Sequence, residues 1–211
     1  MATSTTDTKT TRQRVPAAER RDALIEAAVQ EFAHGGLYGT PVDKIARSVG
    51  VAQPYVFSLF GSKKELFLAA VERSFDRVAA LFTQAAEDFD PAIALPDATV
   101  LTAMGHAYVE MVSSNRAYLM IQHQAYAACD DEQIRDHVRR CYARLVDHVQ
   151  RLSDAGQEEI DDFFRYGMWL NVAAAMGVED LSVGCEWMRA ELADGPDADQ
   201  AADAADAADA M

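Results

Sequence analysis

Apolar residues recur at intervals of three and four along most of the chain, and no stretch alternates with the period of two that a half-buried strand needs. This pattern predicts an all-α protein. Leu24, Ile25, Ala28, Val29 and Phe32 form one stripe on a helix that opens near Pro16 and stops at Gly35-Gly36. Thr40-Pro41-Val42-Asp43 has the form of a helix start, with Thr40 as N-cap, Pro41 at the first helical position and Asp43 at the third. Ile45, Ala46 and Val49 continue the buried face, and Gly50 ends it. A very short helix is expected at residues 53–58, with Pro54 tolerated in its first turn. Gly61 breaks the chain, and Ser62-Lys63-Lys64-Glu65 is a capping box in sequence form. The helix it opens carries Leu66, Phe67, Ala70, Val71, Phe75, Val78 and Phe82, and runs to residue 88. Beyond a linker punctuated by Pro91 and Pro96, the pattern predicts helices at 97–113, 116–128, 131–155, 158–177 and 180–191.

Composition refines this picture. The 211 residues are half apolar, enough for one ordinary domain or two small ones. A net charge of −15 would argue against a nucleic-acid partner, but the charge is unevenly placed. Residues 1–64 hold nine basic and six acidic side chains, and the remainder holds ten basic and 28 acidic, so the first part is +3 and the second −18. Cys129, Cys141 and Cys185 are odd in number and lack C-x-x-C spacing, which suggests neither a disulfide framework nor a cysteine-held metal. Residues 1–11 are Thr-rich without an apolar run, and no segment approaches the length of a membrane span, so a soluble cytoplasmic protein is expected. Lys9, Arg12 and Arg14 make a short basic arm ahead of Pro16, and the Ala-Ala-Asp repeats in 193–211 read as a solvated acidic tail.

The spacing of the second and third helices is that of a helix-turn-helix, in which the second element lies in the major groove while the first braces it. It coincides with the net-positive segment and with Lys63 and Lys64 at a helix N-terminus, where free N–H groups and cations together suit a phosphate. Gln53 offers a bidentate amide to adenine, and Tyr55 a ring for a thymine methyl.

These residues also carry a resemblance. Ala28 to Ala33, Gly36 to Ala46, Val49 to Ala52 and Phe60 to Phe67 resemble the N-terminal domain of the TetR family of transcriptional regulators, over about 55 consecutive residues from Pro16 to Val71. The resemblance implies a homodimer reading a pseudo-palindromic operator, most simply as a repressor, released when a small effector binds a C-terminal domain. Carried over by position, Thr40, beside Pro41, and Lys63 would hold phosphates, while Gln53, Pro54 and Tyr55 would face the bases, with Arg14 and Lys64 adding charge. The chain departs from the family pattern at Ala52, Phe57 and Leu59. Phe57 has no hydroxyl to give a phosphate.

The expected organisation is therefore a basic arm at 1–15, a three-helix DNA-binding domain at 16–61, a connecting helix at 62–88, a helical ligand-binding and dimerisation domain at 89–192 and the tail. In the second half, Met104, Tyr108, Met111, Gln122, His123, Tyr126, Phe163, Tyr166 and Trp169 bring aromatic, thioether and polar groups onto apolar faces, the mixture that lines a ligand cavity. The same faces would serve ordinary core packing. An apolar or aromatic effector with a polar group facing Gln122 and His123 is expected. Val138, Cys141 and Leu145, with Phe164, Gly167, Asn171 and Ala174, resemble half of a four-helix dimer seam, although an intrachain core would show the same period. A helical metal-dependent enzyme is the alternative. It has one Glu-x-x-His, at Glu31 and His34, but no partner motif, so no metal or cofactor is expected.

Overall fold

A computed structural model describes residues 16–96 and 98–177, which form eight helices and, among the described residues, no strand. These are α1 (Ala17–Gly39), α2 (Val42–Ser48), α3 (Gln53–Phe60), α4 (Lys63–Asp88), α5 (Val100–Ser114), α6 (Ala117–Ala127), α7 (Glu132–Ser153) and α8 (Gln157–Met176). The expected helix at 180–191, the acidic tail, Cys185 and the arm with Lys9, Arg12 and Arg14 lie outside the described residues.

Several boundaries differ from expectation for local reasons. At Gly36 α1 breaks without ending: the residue takes φ 61 and ψ −175, and helix resumes to Gly39. A side chain there would meet Gln124 of α6, so glycine permits both the turn and the approach of α6. Thr40 does not cap α2. The helix opens after Pro41 without a side-chain cap, and the Thr40 hydroxyl instead donates to the Glu31 carbonyl of α1 at 3.1 Å. Helix α5 starts at Val100 because Thr99 and Thr102 form a reciprocal capping box. Asp131 caps α7 by accepting from the Ile134 N–H, and Asp154 in the left-handed region closes it. At the start of α4 the expected cap is present, Ser62 accepting from the Glu65 N–H at 3.1 Å.

The described residues through Gly167 belong to one compact unit, and those from Met168 onward to a second. In the first unit α4 is the common wall: it packs on α1 near its start and on α5, α6 and α7 along its length. Phe32 of α1 meets Phe67 of α4 edge to face at 5.1 Å, and both are buried. Ile134, Val138, Cys141, Leu145 and Val149 of α7 repeat at three and four and are buried in the same core as Val71, Phe75 and Val78 of α4. In the second unit Trp169 packs against buried Ala173.

Candidate nucleic-acid interface

The turn between α2 and α3 is set by Gly50 at φ 71 and closed by the Val51 N–H on the Ala46 carbonyl. Two apolar residues of α3, Val56 and Phe60, are buried, so the opposite face turns outward with Gln53, Pro54, Phe57 and Ser58 exposed and Tyr55 half-buried. Gln53, Pro54 and Tyr55 thus share the first turn of a short helix whose seat is fixed by two anchors. Arg21 of α1 spans the far end, donating to the Leu59 carbonyl at 3.4 Å with its guanidinium 4.4 Å from the Phe60 ring centre. Phe57, 38% exposed, is an aromatic group on this face that supplies apolar surface and no hydroxyl.

The expected phosphate anchors are placed differently from one another. Pro41 is exposed at the head of α2. Thr40 is buried, and its one hydroxyl proton is committed to Glu31, so it braces α1 against α2. Lys63 lies at the first turn of α4 and donates to the Tyr38 backbone carbonyl at 3.3 Å, which holds its ammonium at the end of α1. Partial burial draws its pKa below the ordinary 10.5. Lys64 turns away from Lys63 and pairs with Asp131 of α7 at 2.7 Å. That hydrogen bond raises the Lys64 pKa and, with the Ile134 N–H, lowers that of Asp131. Arg14 lies outside the described residues.

Sequence reasoning missed the residues that fasten these helices to the rest of the unit. Gln133 donates to Glu65 at 2.8 Å, adding a second link between the first turns of α4 and α7. Arg73 of α4 pairs with Asp22 at 2.8 Å and with Glu26 on α1, and Tyr118 of α6 donates to the other Glu26 oxygen at 2.8 Å. Lys44 pairs with Glu31 at 2.6 Å. These pairs join residues far apart in sequence, and local spacing gives no signal for them. The Glu-x-x-His at Glu31 is likewise spent on structure, since His34 hydrogen-bonds the Gln30 carbonyl of its own helix. Among the described residues no three His, Cys, Asp or Glu side chains converge as a metal site.

The residues expected to meet an effector fall mainly in the first unit. Met104 and Tyr108 of α5 are buried, and Phe82 of α4 stacks at tilted or edge-on angles with Tyr108 at 6.0 Å and with Phe163 at 5.6 Å. Met111 is half-buried. On α6, Gln122 is 4% exposed and accepts a 3.4 Å hydrogen bond from the Tyr126 hydroxyl, while the His123 ring lies 6.0 Å from that of Tyr126. Burial raises the Tyr126 pKa, helped by the phenols of Tyr108 on α5 and Tyr142 on α7. Tyr142 was not among the expected residues. Tyr166 is on the exposed side of α8, and Trp169 belongs to the second unit.

For the expected dimer seam the structure divides the set. Val138, Cys141 and Leu145 are buried within the single chain's core, so their apolar stripe needs no partner chain. Phe164 packs edge-on with Tyr142 at 5.5 Å and Phe163 at 5.4 Å. Gly167 faces open space, and a Cβ added there would have nothing within 4 Å. Asn171 and Ala174 lie in the second unit, Asn171 buried and Ala174 half-buried.

Residues 24–70 match the family described as bacterial regulatory proteins, tetR family. The HTH-type transcriptional activator FasR of Mycolicibacterium smegmatis is 38% identical over 72 residues, 34% of this chain and 33% of that protein. The HTH-type transcriptional regulator RutR of Escherichia coli is 31% identical over 90 residues, 42% of each chain. The matches thus span well under half the length of these relatives. A TetR-like regulator from Rhodococcus shares the fold with a TM-score of 0.53 at 24% identity, covering 76% of this chain and 82% of that one. The regulator FadR of Bacillus subtilis, solved with stearoyl-CoA, does so with a TM-score of 0.61 at 13% identity, covering 76% and 89%. The described residues are all helical, and the helix-turn-helix they hold lies within the stretch, residues 24–70, that is similar to the tetR family of bacterial regulatory proteins. Its relatives are named as transcription regulators, not enzymes. Among the described residues no helix is long and apolar enough to cross a membrane.

Proposed function

We propose that the protein is a ligand-responsive transcriptional regulator, a repressor that binds a pseudo-palindromic operator as a homodimer and leaves it when an apolar or aromatic effector binds. The observation that carries the reading is the outward face of α3, with Gln53, Pro54 and Tyr55 on its first turn and Lys63 at the adjoining N-terminus of α4. In this reading Gln53 and Tyr55 meet base edges, Lys63 and the region of Pro41 meet the backbone, and Arg14 adds a contact from the arm. Thr40 acts indirectly, by holding α2 on α1.

The effector site is read at Met104, Tyr108, Met111, Gln122, His123, Tyr126 and Phe163, where polar atoms of α6 face an aromatic cluster. Helix α4 touches both regions through Lys63 and Phe82, so a ligand that displaces Phe82 would move the helix that positions Lys63. By linkage, operator must weaken effector binding by the factor with which effector weakens operator binding.

Footprinting of the full chain on the DNA flanking its own gene tests the function directly. Two protected half-sites one helical turn or so apart are expected, with affinity falling steeply as salt rises. A reporter fused to that DNA distinguishes repression from activation, the action named for the mycolicibacterial relative. Absence of protection on any duplex at low salt would overturn the reading.

A further inference from the structure

We propose that Asp131 is an intramolecular stand-in for a DNA phosphate: it holds Lys64 on α7 and so withholds one cationic contact from the duplex. The inference rests on the DNA-binding reading above. Lys63 and Lys64 are neighbours on the first turn of α4, yet they are used differently. Lys63 stays at the α1 end beside Tyr38, whereas Lys64 reaches across to α7 and pairs with the Asp131 carboxylate at 2.7 Å. The pair is only partly exposed, with Lys64 at 36% and Asp131 at 24%, so water and salt screen it less than a free surface pair.

Asp131 has a second engagement that makes the arrangement more than a chance surface contact. Its Oδ1 accepts from the Ile134 N–H and caps α7, while Oδ2 takes Lys64. The carboxylate is therefore held in place by the start of α7, and Gln133 and Glu65 tie the same two helix starts together alongside it. A lysine ammonium presented with a fixed carboxylate oxygen is in the same bonding state as one on a phosphate oxygen, a charge-assisted hydrogen bond to an anion. The two anions compete for one cation. Because Asp131 stands at the N-terminus of a helix in the effector-binding half, any effector that shifts α7 also shifts the competitor.

The test separates this from the broader reading. Binding of the full chain to a random-sequence duplex of about 30 base pairs is measured by fluorescence anisotropy at several salt concentrations, because phosphate contacts do not depend on sequence. Four variants are compared with wild type: Asp131→Asn, Lys64→Ala, their combination, and Asp130→Asn. Asparagine caps a helix about as well as aspartate, so Asp131→Asn removes the charge and keeps α7. Asp130→Asn changes net charge equally one residue away and away from Lys64.

Releasing Lys64 should steepen the slope of log K against log salt by about 0.9, the increment for one phosphate. The advantage of Asp131→Asn over wild type should then shrink about 3.5-fold between 50 and 200 mM salt. Lys64→Ala alone should leave the slope as in wild type, the double variant should lose the gain, and Asp130→Asn should show none. An Asp131→Asn slope equal to that of wild type overturns the inference while leaving DNA binding intact. So does a Lys64→Ala variant that flattens the slope by itself, since Lys64 would then already be on the DNA. Wild-type protein that binds no duplex sinks both readings together.

Discussion

His137 is a residue whose surroundings constrain its chemistry. It lies on α7, its Nε2 is buried without a hydrogen-bond partner, and the groups that bear on its charge are Glu72 of α4 and Arg140 and Arg144 of its own helix. Burial is the largest influence and lowers its pKa below 6.5, against the upward pull of Glu72 and of a hydrogen bond to the Leu68 backbone. With the folded pKa below the unfolded one, the unfolded chain binds more protons in between, so this residue's contribution is complete above pH 6.5 and is lost as pH falls through the folded value. The urea midpoint should therefore drop between about pH 7 and pH 5, and His137→Gln should remove part of that drop. Identical pH dependence in the two proteins would assign the effect to other groups. At Ser62 the expectation is simpler. Removing the hydroxyl that accepts from Glu65 N–H leaves the first turn of α4 uncapped, so Ser62→Ala should cost about 1 kcal/mol of stability, and Ser62→Asp should restore it.

At the scale of elements, α1 depends on one residue. Gly36 at φ 61 and ψ −175 occupies a region that is essentially closed to other residues, and a Cβ would also press on the Gln124 amide of α6. Gly36→Ala should destabilise the protein by about 1–3 kcal/mol from backbone strain alone. The companion change Gln124→Ala relieves only the contact, so a double variant that regains full thermal stability would show that strain is minor. In the sequence Gly35-Gly36 is legible as a stop but not as a bend, because the side chain that a residue at Gly36 would meet, Gln124, lies in a helix far along the chain. The same division runs through the other elements. The cap at Ser62 and the turn at Gly50 are local and readable from four or five residues, whereas Asp130-Asp131 is legible as a break between helices and not as the cap that Asp131 makes. The partners of Lys64 and Arg73 depend on which helices meet, and no local pattern encodes that. The stripe Val138, Cys141, Leu145 illustrates the ambiguity best. A helix buried on its own chain and one buried on a second chain show the same period, and here α4 covers the stripe. Buried aromatics such as Tyr108 and Phe163 raise the same difficulty for a ligand site, since they fill a core and line a pocket with the same chemistry.

For the molecule as a whole, the proposed assembly is to be sought on surface that the described residues leave uncovered. With the α7 stripe used internally, the proposed seam is tested at Gly167 of α8, which faces open space. In the proposed reading, two half-sites require two linked recognition helices, and a homodimer would supply them. Gly167 gives a clean test because its substitution meets nothing within the chain. In a monomer, Gly167→Ala would stabilise α8 by up to about 1 kcal/mol, as alanine does in any helix interior, and Gly167→Glu would be nearly neutral. In a dimer packed closely at Gly167, the added methyl holds the helices apart and the carboxylate is buried without a partner. Sedimentation equilibrium should then report weaker association for Gly167→Ala and monomer for Gly167→Glu, and melting should become independent of protein concentration in the latter. A Gly167→Glu variant that remains a dimer with unchanged DNA affinity would place the seam on another surface.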